Sequence, residues 1–436
     1  MASRVLILGG IGMAVSRRCL ALVGATVLVV SLGACSSSSK GASGGSSSPT
    51  TATTAVNLAV LGTPKAANGE PIKVGFIGAG KASVIDNTNE LEIATATEKY
   101  VNDYLGGIAG RPLQLITCAD LATPSGATDC ANQLLGDHVV AVLSSQQANP
   151  AAVMNVLKPA NVPYIPWIGA DPSVLINSDA FTITNPLTGF AGPIKLAQAD
   201  GITKVAAVSV DVPAAKALPT FANPIFKKAG IDLTTTFVPL GTPDVTPQIQ
   251  SALSGGAKEF YVAGDISLCT NTLKALKTLG FTGKVVSNQD CLLDPSASGI
   301  GGFNGLVFEN VYSIDSNDPD FQLATAIAAK YAPGVPVTAA NTGNVLGGFA
   351  GVMSFSRAMT GLNAASANAA GVTAALKAMP PQQMPLLDGQ NFQCNGKAST
   401  LLTSVCSTGV SLATLDSKGN PTKSENFDAY KYIGKQ

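Results

Sequence analysis

The sequence predicts an α/β protein built from two doubly wound, Rossmann-like lobes in tandem. Two observations lead there. From residue 72 short strand-like runs alternate with helical ones, and near residue 204 the same alternation starts again. A strand followed each time by a helix is the signature of a parallel sheet covered on both faces.

The elements follow in order. Ile72–Ile77 reads as a strand ending at Gly78, and 88–105 as a helix, with Leu91, Ala94, Val101 and Leu105 near helical spacing and Gly106-Gly107 as its stop. Leu113–Thr117, Val139–Leu143 and Tyr164–Ile168 are strands, separated by helices over 124–135 and 149–159. The second run has strands at Lys204–Val210, Leu233–Pro239, Glu259–Ala263 and Lys284–Ser287, with helices near 214–229, 245–254 and 269–279. Residues 306–314 are one more strand-like run, read as a crossing between lobes. Helices near 318–331, 344–361 and 370–378 follow. The N-G, S-T-G and S-K-G-N-P turns near the C-terminus predict β-hairpins.

The N-terminus carries an address. Arg17-Arg18 precede an apolar run to Ala34 that is too short to span a bilayer and of signal-peptide length. The stretch M-A-V-S-R-R-C-L is itself a normal signal start, so Met13 competes with Met1 as initiator. Leu32-Gly33-Ala34-Cys35 resembles a bacterial lipobox, in which the cysteine is lipidated and the chain is cut just before it. Residues 36 to about 69 are Ser, Gly, Thr, Ala and Pro with few large apolar side chains, which predicts a disordered tether reaching roughly 30–35 Å. The implied location is the outer face of a bacterial cell membrane, held by lipid on Cys35.

Composition excludes several classes. Loss of residues 1–34 leaves 24 basic against 27 acidic side chains, and no basic run appears, so nucleic acid is not a partner. The only histidine is His138 and no C-x-x-C exists, which argues against a metal site. G-A-G-K-A-S at 78–83 lacks phosphate-loop spacing, and no G-x-S-x-G elbow is present, so neither nucleotide binding nor serine hydrolysis is supported. The chain is read as no enzyme and as needing no cofactor. Six cysteines remain beyond Cys19 and Cys35: Cys118, Cys130, Cys269, Cys291, Cys394 and Cys406. An even number in an exported chain predicts disulfides, and neighbouring pairs are the simplest of the 15 possible pairings.

Ligands of doubly wound sheets bind outside the carboxyl ends of the strands. That rule selects the loops 78–83, 144–149, 167–171, 211–215, 264–267 and 288–291. The first-lobe loops offer Ser144, Ser145, Gln146, Trp167 as either a stacking ring or a packed core edge, and the backbone of Gly169 and Ala170. The second-lobe loops offer Asp211, Asp265 and Asp290, residues that equally suit helix N-caps. Donors on one side and carboxylates on the other fit a small solute carrying both charges, such as an α-amino acid.

The stretch Y-V-N-D-Y-L-G-G-I-A-G-R-P-L-Q-L-I-T-C-A-D (100–120) resembles the first helix, G-G-I-x-G turn and second strand of type I periplasmic binding proteins of the branched-chain amino acid-binding (Leu/Ile/Val-binding) family. V-V-A-V-L-S-S, P-Y-I-P-W-I-G-A-D-P, F-T-I-T-N-P, K-V-A-A-V-S-V-D, P-L-G-T-P-D-V-T-P-Q-I-Q and A-L-K-T-L-G-F are similar to later parts of that family, in order. The resemblance implies a solute-binding lipoprotein of an ABC importer, partnered by membrane permease subunits and closing on its solute about a multi-strand hinge. It divides the chain into lobe one (70–187 with 313–388) and lobe two (188–312 with 389–436), after a signal peptide (1–34) and tether (35–69). It places Ser145 on a ligand carboxylate, and Asp211 with Asp290 or Gln289 near a ligand ammonium. A sensor on the same fold, feeding a signalling partner, is the alternative. The sequence departs from the family in its loops: W-I-G-A-D lacks the usual threonine, G-A-G-K-A-S-V-I-D lacks the usual first-loop pattern, and V-P-A-A-K follows Asp211. Hydroxyls lost from a buried polar site argue against a branched-chain amino acid as the ligand.

Overall fold

The computed structural model describes residues 56–82, 86–169, 171–264, 266–288, 305–338 and 343–435. The signal segment, Cys35, Ala170, Asp265, Gln289, Asp290 and Cys291 lie outside the described residues.

The first sheet is parallel, in the order β2-β1-β3-β4: β1 Ile72–Gly78, β2 Leu113–Ala119, β3 Val142–Gln146 and β4 Tyr164–Ile168. One face packs on α1 (Thr88–Tyr104), α9 (Pro319–Tyr331) and α10 (Gly343–Ala358), burying Val74, Phe76, Ile93, Ile327 and Phe349. The other packs on α2 (Pro124–Gly136) and α3 (Pro150–Leu157), burying Ile77, Leu134, Val142, Val153 and Tyr164. Local chemistry starts these helices where they start. Thr123 Oγ1 accepts from Gly126 N–H at 3.0 Å and Pro124 sets the first turn of α2; Asp318 Oδ1 accepts from the N–H groups of Asp320 and Phe321 to cap α9.

The second sheet runs β13-β12-β9-β8-β7-β5-β6, with β5 Lys204–Val210, β6 Asp232–Val238, β7 Glu259–Ala263, β8 Lys284–Ser287 and β9 Val307–Asn310 parallel. The hairpin of β12 (Gly409–Leu415) and β13 (Pro421–Asp428) adds antiparallel to β9, as the late turns predict. The helices α5 (Ala191–Ala199), α6 (Pro213–Lys228) and α12 (Tyr430–Ile433) border one hydrophobic core of this lobe, and α7 (Thr246–Ser254) and α8 (Ile266–Thr278) border the other. Smaller pieces are α4 (Pro172–Leu175), α11 (Ala369–Ala378) and a short ladder of β10 (Gln382–Gln383) on β11 (Asn391–Phe392).

Three stretches pass between the sheets, after β4, after β9 and before β12. They are tied to one another. Thr182 N–H donates to Ser404 O and Cys406 N–H to Thr182 O, at 2.9 and 2.8 Å, while Ser313 N–H donates to Leu386 O at 2.7 Å. The disulfide Cys394–Cys406 staples the third stretch, and Cys118–Cys130 joins the end of β2 to α2. Cys269 is disulfide-bonded as well.

Two expectations are corrected. The tether ends sooner than residue 69: Leu58–Leu61 form a 3-10 turn capped by Asn57, and Leu61 is buried in the lobe-one core against α9. The apolar L-A-V-L run suffices for that, and Lys65 and Ala67 then bond the end of α1. The third strand lies three residues later than its apolar run, because Ser144 and Gln146 keep register with Pro166 and Ile168 of β4. The serines extend the strand instead of opening the loop.

Candidate functional site

The carboxyl ends of β1, β3 and β4 carry the first half of the candidate site. Side chains alternate across a strand, so the two serines of β3 face opposite ways. Ser144 is fully buried and its hydroxyl bonds the Tyr164 hydroxyl at 2.8 Å in the α2–α3 core, which corrects its assignment to the ligand loop. Ser145 faces α1 and α10, where its hydroxyl donates to Glu90 Oε1. Gln146 is exposed at the strand end.

Glu90 is a residue that loop-by-loop reading missed. It lies in the first turn of α1, 1 % exposed, with its Oε2 atom buried and without a hydrogen-bond partner. Three glycines make room for it and for Ser145. A Cβ on Gly78 would meet Glu90 Oε2 at 3.0 Å, one on Gly348 would meet the Glu90 carbonyl oxygen at 2.3 Å, and one on Gly347 would meet Ser145 Oγ at 2.7 Å. Burial pushes the Glu90 carboxyl up to about 8, the Ser145 bond opposes that, and the nearby Asp120 adds to it. The signal was present in the sequence: Glu90 shares the inward stripe of α1 with Ala94, Thr97 and Val101. A charged residue on an apolar stripe marks either a paired charge or a neutralised one.

Trp167 is fully buried in the lobe-one core, so of its two readings the packed core is the one the structure shows, and the stacking ring is set aside. Its Nε1 atom is buried with no hydrogen-bond partner. Gly169 is buried, and a Cβ there would meet Thr182 of the first crossing at 2.8 Å. Asp171 caps α4 through Ser173 N–H at 2.8 Å. Asp120, at the end of β2, is 1 % exposed and raised by burial, with Ala122 N–H donating to its Oδ1 at 2.9 Å.

On lobe two, Asp211 stands at the end of β5 as expected, but it pairs with Lys216 at 2.6 Å, one turn into α6. Both side chains are partly exposed. His138 is exposed in a left-handed turn, away from any cluster. Among the described residues no group of three or more metal-ligating side chains occurs, and no helix is long and apolar enough to cross a membrane.

Comparisons with known proteins agree with this architecture. A family model described as periplasmic binding protein matches residues 71–408. Among solved structures, a putative branched-chain amino acid ABC transporter protein from Rhodospirillum rubrum superposes with a TM-score of 0.66 at 17% identity, covering 81% of this chain and 100% of that one. A leucine-, isoleucine-, valine-, threonine- and alanine-binding protein from Brucella ovis in its closed conformation gives 0.65 at 14% identity, over 84% and 97%. An ABC transporter solute-binding protein from R. palustris in complex with 4-hydroxybenzoate gives 0.64 at 18% identity, over 82% and 97%. No curated protein matches the sequence. These identities establish the fold alone, and the family match over most of the chain establishes membership. The chain belongs to the type I periplasmic binding protein family, whose members bind solutes and are not enzymes.

Proposed function

We propose that this protein is the lipid-anchored, extracytoplasmic solute-binding component of an ABC importer, closing two lobes on a small polar solute. The observation that carries the reading is the pairing of a parallel sheet with a mostly parallel one, with polar groups at their strand ends, joined by three crossings hydrogen-bonded to each other. Such a linkage bends without parting. The lobes divide at residues 187/188, 312/313 and 388/389. Proteins of similar fold include a leucine-, isoleucine-, valine-, threonine- and alanine-binding protein, a fatty acid ABC transporter substrate-binding protein and a solute-binding protein in complex with 4-hydroxybenzoate, which supports a solute-binding role and leaves the class of solute to this chain's own residues. Cys35 is the lipid anchor, and the serine-rich segment behind it is the tether.

The candidate contacts are Ser145, Gln146 and the backbone of Gly169 and Ala170 on lobe one, and Asp211, Asp265, Gln289 and Asp290 on lobe two. A solute ammonium at Asp211 has to displace Lys216. A thermal-shift screen of the oxidised mature chain against amino acids, amides, polyols, sugars and small acids tests the reading. A solute at 100 times its Kd stabilises by about 2.7 kcal/mol. A shift lost in Asp211→Ala supports the lobe-two contact, whereas a flat panel contradicts solute binding.

A further inference from the structure

The third crossing carries a cavity on its flank, away from the strand-end loops. Its N-G turn is closed by Asn395 Oδ1, which accepts from Lys397 N–H at 3.0 Å, with Gly396 left-handed at φ 70°. Phe392 bridges antiparallel to Ser407, Gln393 N–H donates to Cys406 O at 2.8 Å, and the Cys394–Cys406 disulfide joins the same two segments. The residue before α12 is tied to this ladder, Ala429 N–H donating to Thr408 O at 2.9 Å. Between ladder and helix lies a cavity of about 420 Å³. Lys397 and Asn395 line it from the turn, Asn391 and Gln393 from the ladder, and Tyr430 and Lys435 from α12 and the residues after it.

Charge decides what this cavity can take. Among the described residues no aspartate or glutamate lines it, and neither lysine ammonium pairs with a carboxylate. The carboxylate closest in sequence, Asp428, is turned to Tyr430 N–H at 3.0 Å. The Gln393 amide is spent on Met379 O at 2.8 Å. Two ammonium groups on one cavity, with no acid to answer them, favour an anionic guest. The volume lies within the range of about 300–1,000 Å³ that small organic ligands occupy. The walls belong to the linkage between the lobes. The Tyr430 hydroxyl accepts from Asn185 Nδ2 at 3.3 Å, just after the first crossing, and Cys406 N–H donates to Thr182 O within it.

Resting on the reading of the crossings as a hinge, we propose that this cavity binds a small carboxylate- or phosphate-bearing anion through Lys397 and Lys435, and that its occupancy stiffens the third crossing. A guest held by the N-G turn on one side and by α12 on the other spans the segment that has to bend when the lobes move. It therefore acts on the hinge without entering the cleft.

The test titrates citrate and inorganic phosphate into the oxidised mature chain by calorimetry at matched ionic strength, with glycerol as the uncharged control. At least one of the two anions binds and glycerol does not. The double variant Lys397→Gln/Lys435→Gln, which changes two exposed side chains and keeps the wild-type melting temperature, binds that anion at least about tenfold more weakly, the weight of one charge-assisted hydrogen bond. Amide hydrogen exchange over residues 391–408 then slows severalfold on binding in the wild type and not in the variant. If neither anion binds, or the double variant binds as tightly as the wild type, the site is overturned. If the anion binds and exchange in the crossing is unchanged, the hinge role is overturned. The cleft is judged separately by Asp211→Ala: an acid whose effect survives that change and is lost in the lysine variant occupies this cavity. A screen whose only hits are of that kind overturns the cleft reading while leaving this site standing.

Discussion

Glu309 offers a quantitative test of how the second lobe is held at the hinge. It sits in β9 just before the second crossing, 4 % exposed, and its Oε1 accepts from Gly192 N–H at 2.8 Å, at the start of the helix that follows the first crossing. Its Oε2 atom is buried without a partner. Burial pushes its carboxyl from 4.5 up to about 8, against the pull of the Gly192 bond. The folded state therefore binds this proton more tightly than the unfolded chain does. Its contribution is complete below pH 4.5, is lost as pH rises toward 8, and is level above that. At about 1.36 kcal/mol per tenfold change in proton affinity, the whole window is worth on the order of 5 kcal/mol. The perturbation is Glu309→Gln, which keeps the acceptor for Gly192 and removes the titration. Denaturant unfolding of both proteins from pH 4.5 to 9 is the assay. Wild-type stability should fall relative to the variant by about 1.4 kcal/mol per pH unit across the window. Parallel curves would refute the claim that Glu309 is held neutral by burial.

Other outcomes follow from the same structure. Arg357 donates to both oxygens of Asp320, at 2.6 and 2.8 Å, and Asp320 also accepts from Leu386 N–H; Arg357→Ala strands that buried carboxylate and should cost about 3–5 kcal/mol in denaturant melts. Breaking Cys394–Cys406 by serine substitution releases a loop of sequence separation 12 and should cost roughly 3 kcal/mol, measured by the same melts. Gly348→Ala drives a methyl against the Glu90 carbonyl and should destabilise by about 1–3 kcal/mol, whereas Gly361→Ala, with nothing near its Cβ position, should be nearly silent by comparison. Cys35→Ala should release the chain from membranes into the soluble fraction on cell fractionation; retention on the membrane would contradict the lipid anchor.

Much of the fold was legible because local signals and global topology agree. The spans of β4, β5, β7 and β8 match the strand-like runs residue for residue, since in each the extended pattern and the pairing with neighbouring strands end together. β3 did not match, because hydrophobicity ends at Leu143 while the pairing with β4 continues through two serines and a glutamine. The same slip sent Ser144 to the ligand loop when its partner is Tyr164 in the core. Glu90 escaped notice for a different reason. Strand-end rules select loops, and the group that takes the Ser145 proton arrives from a helix 55 residues earlier in the chain. Lys216 escaped likewise: its sequence shows a cation near Asp211, but only the turn of α6 brings the two to 2.6 Å. The bonds between the first and third crossings, Thr182 with Ser404 and Cys406, join residues more than two hundred apart and have no local signature at all.

The central claim is that the two lobes close on a solute about these crossings. Small-angle X-ray scattering of the mature chain, before and after addition of the solute that most raises its melting temperature, tests it most directly. Closure predicts a smaller radius of gyration in the bound state, reversed on dialysis. A solute that binds and stabilises while leaving the radius of gyration unchanged would contradict it.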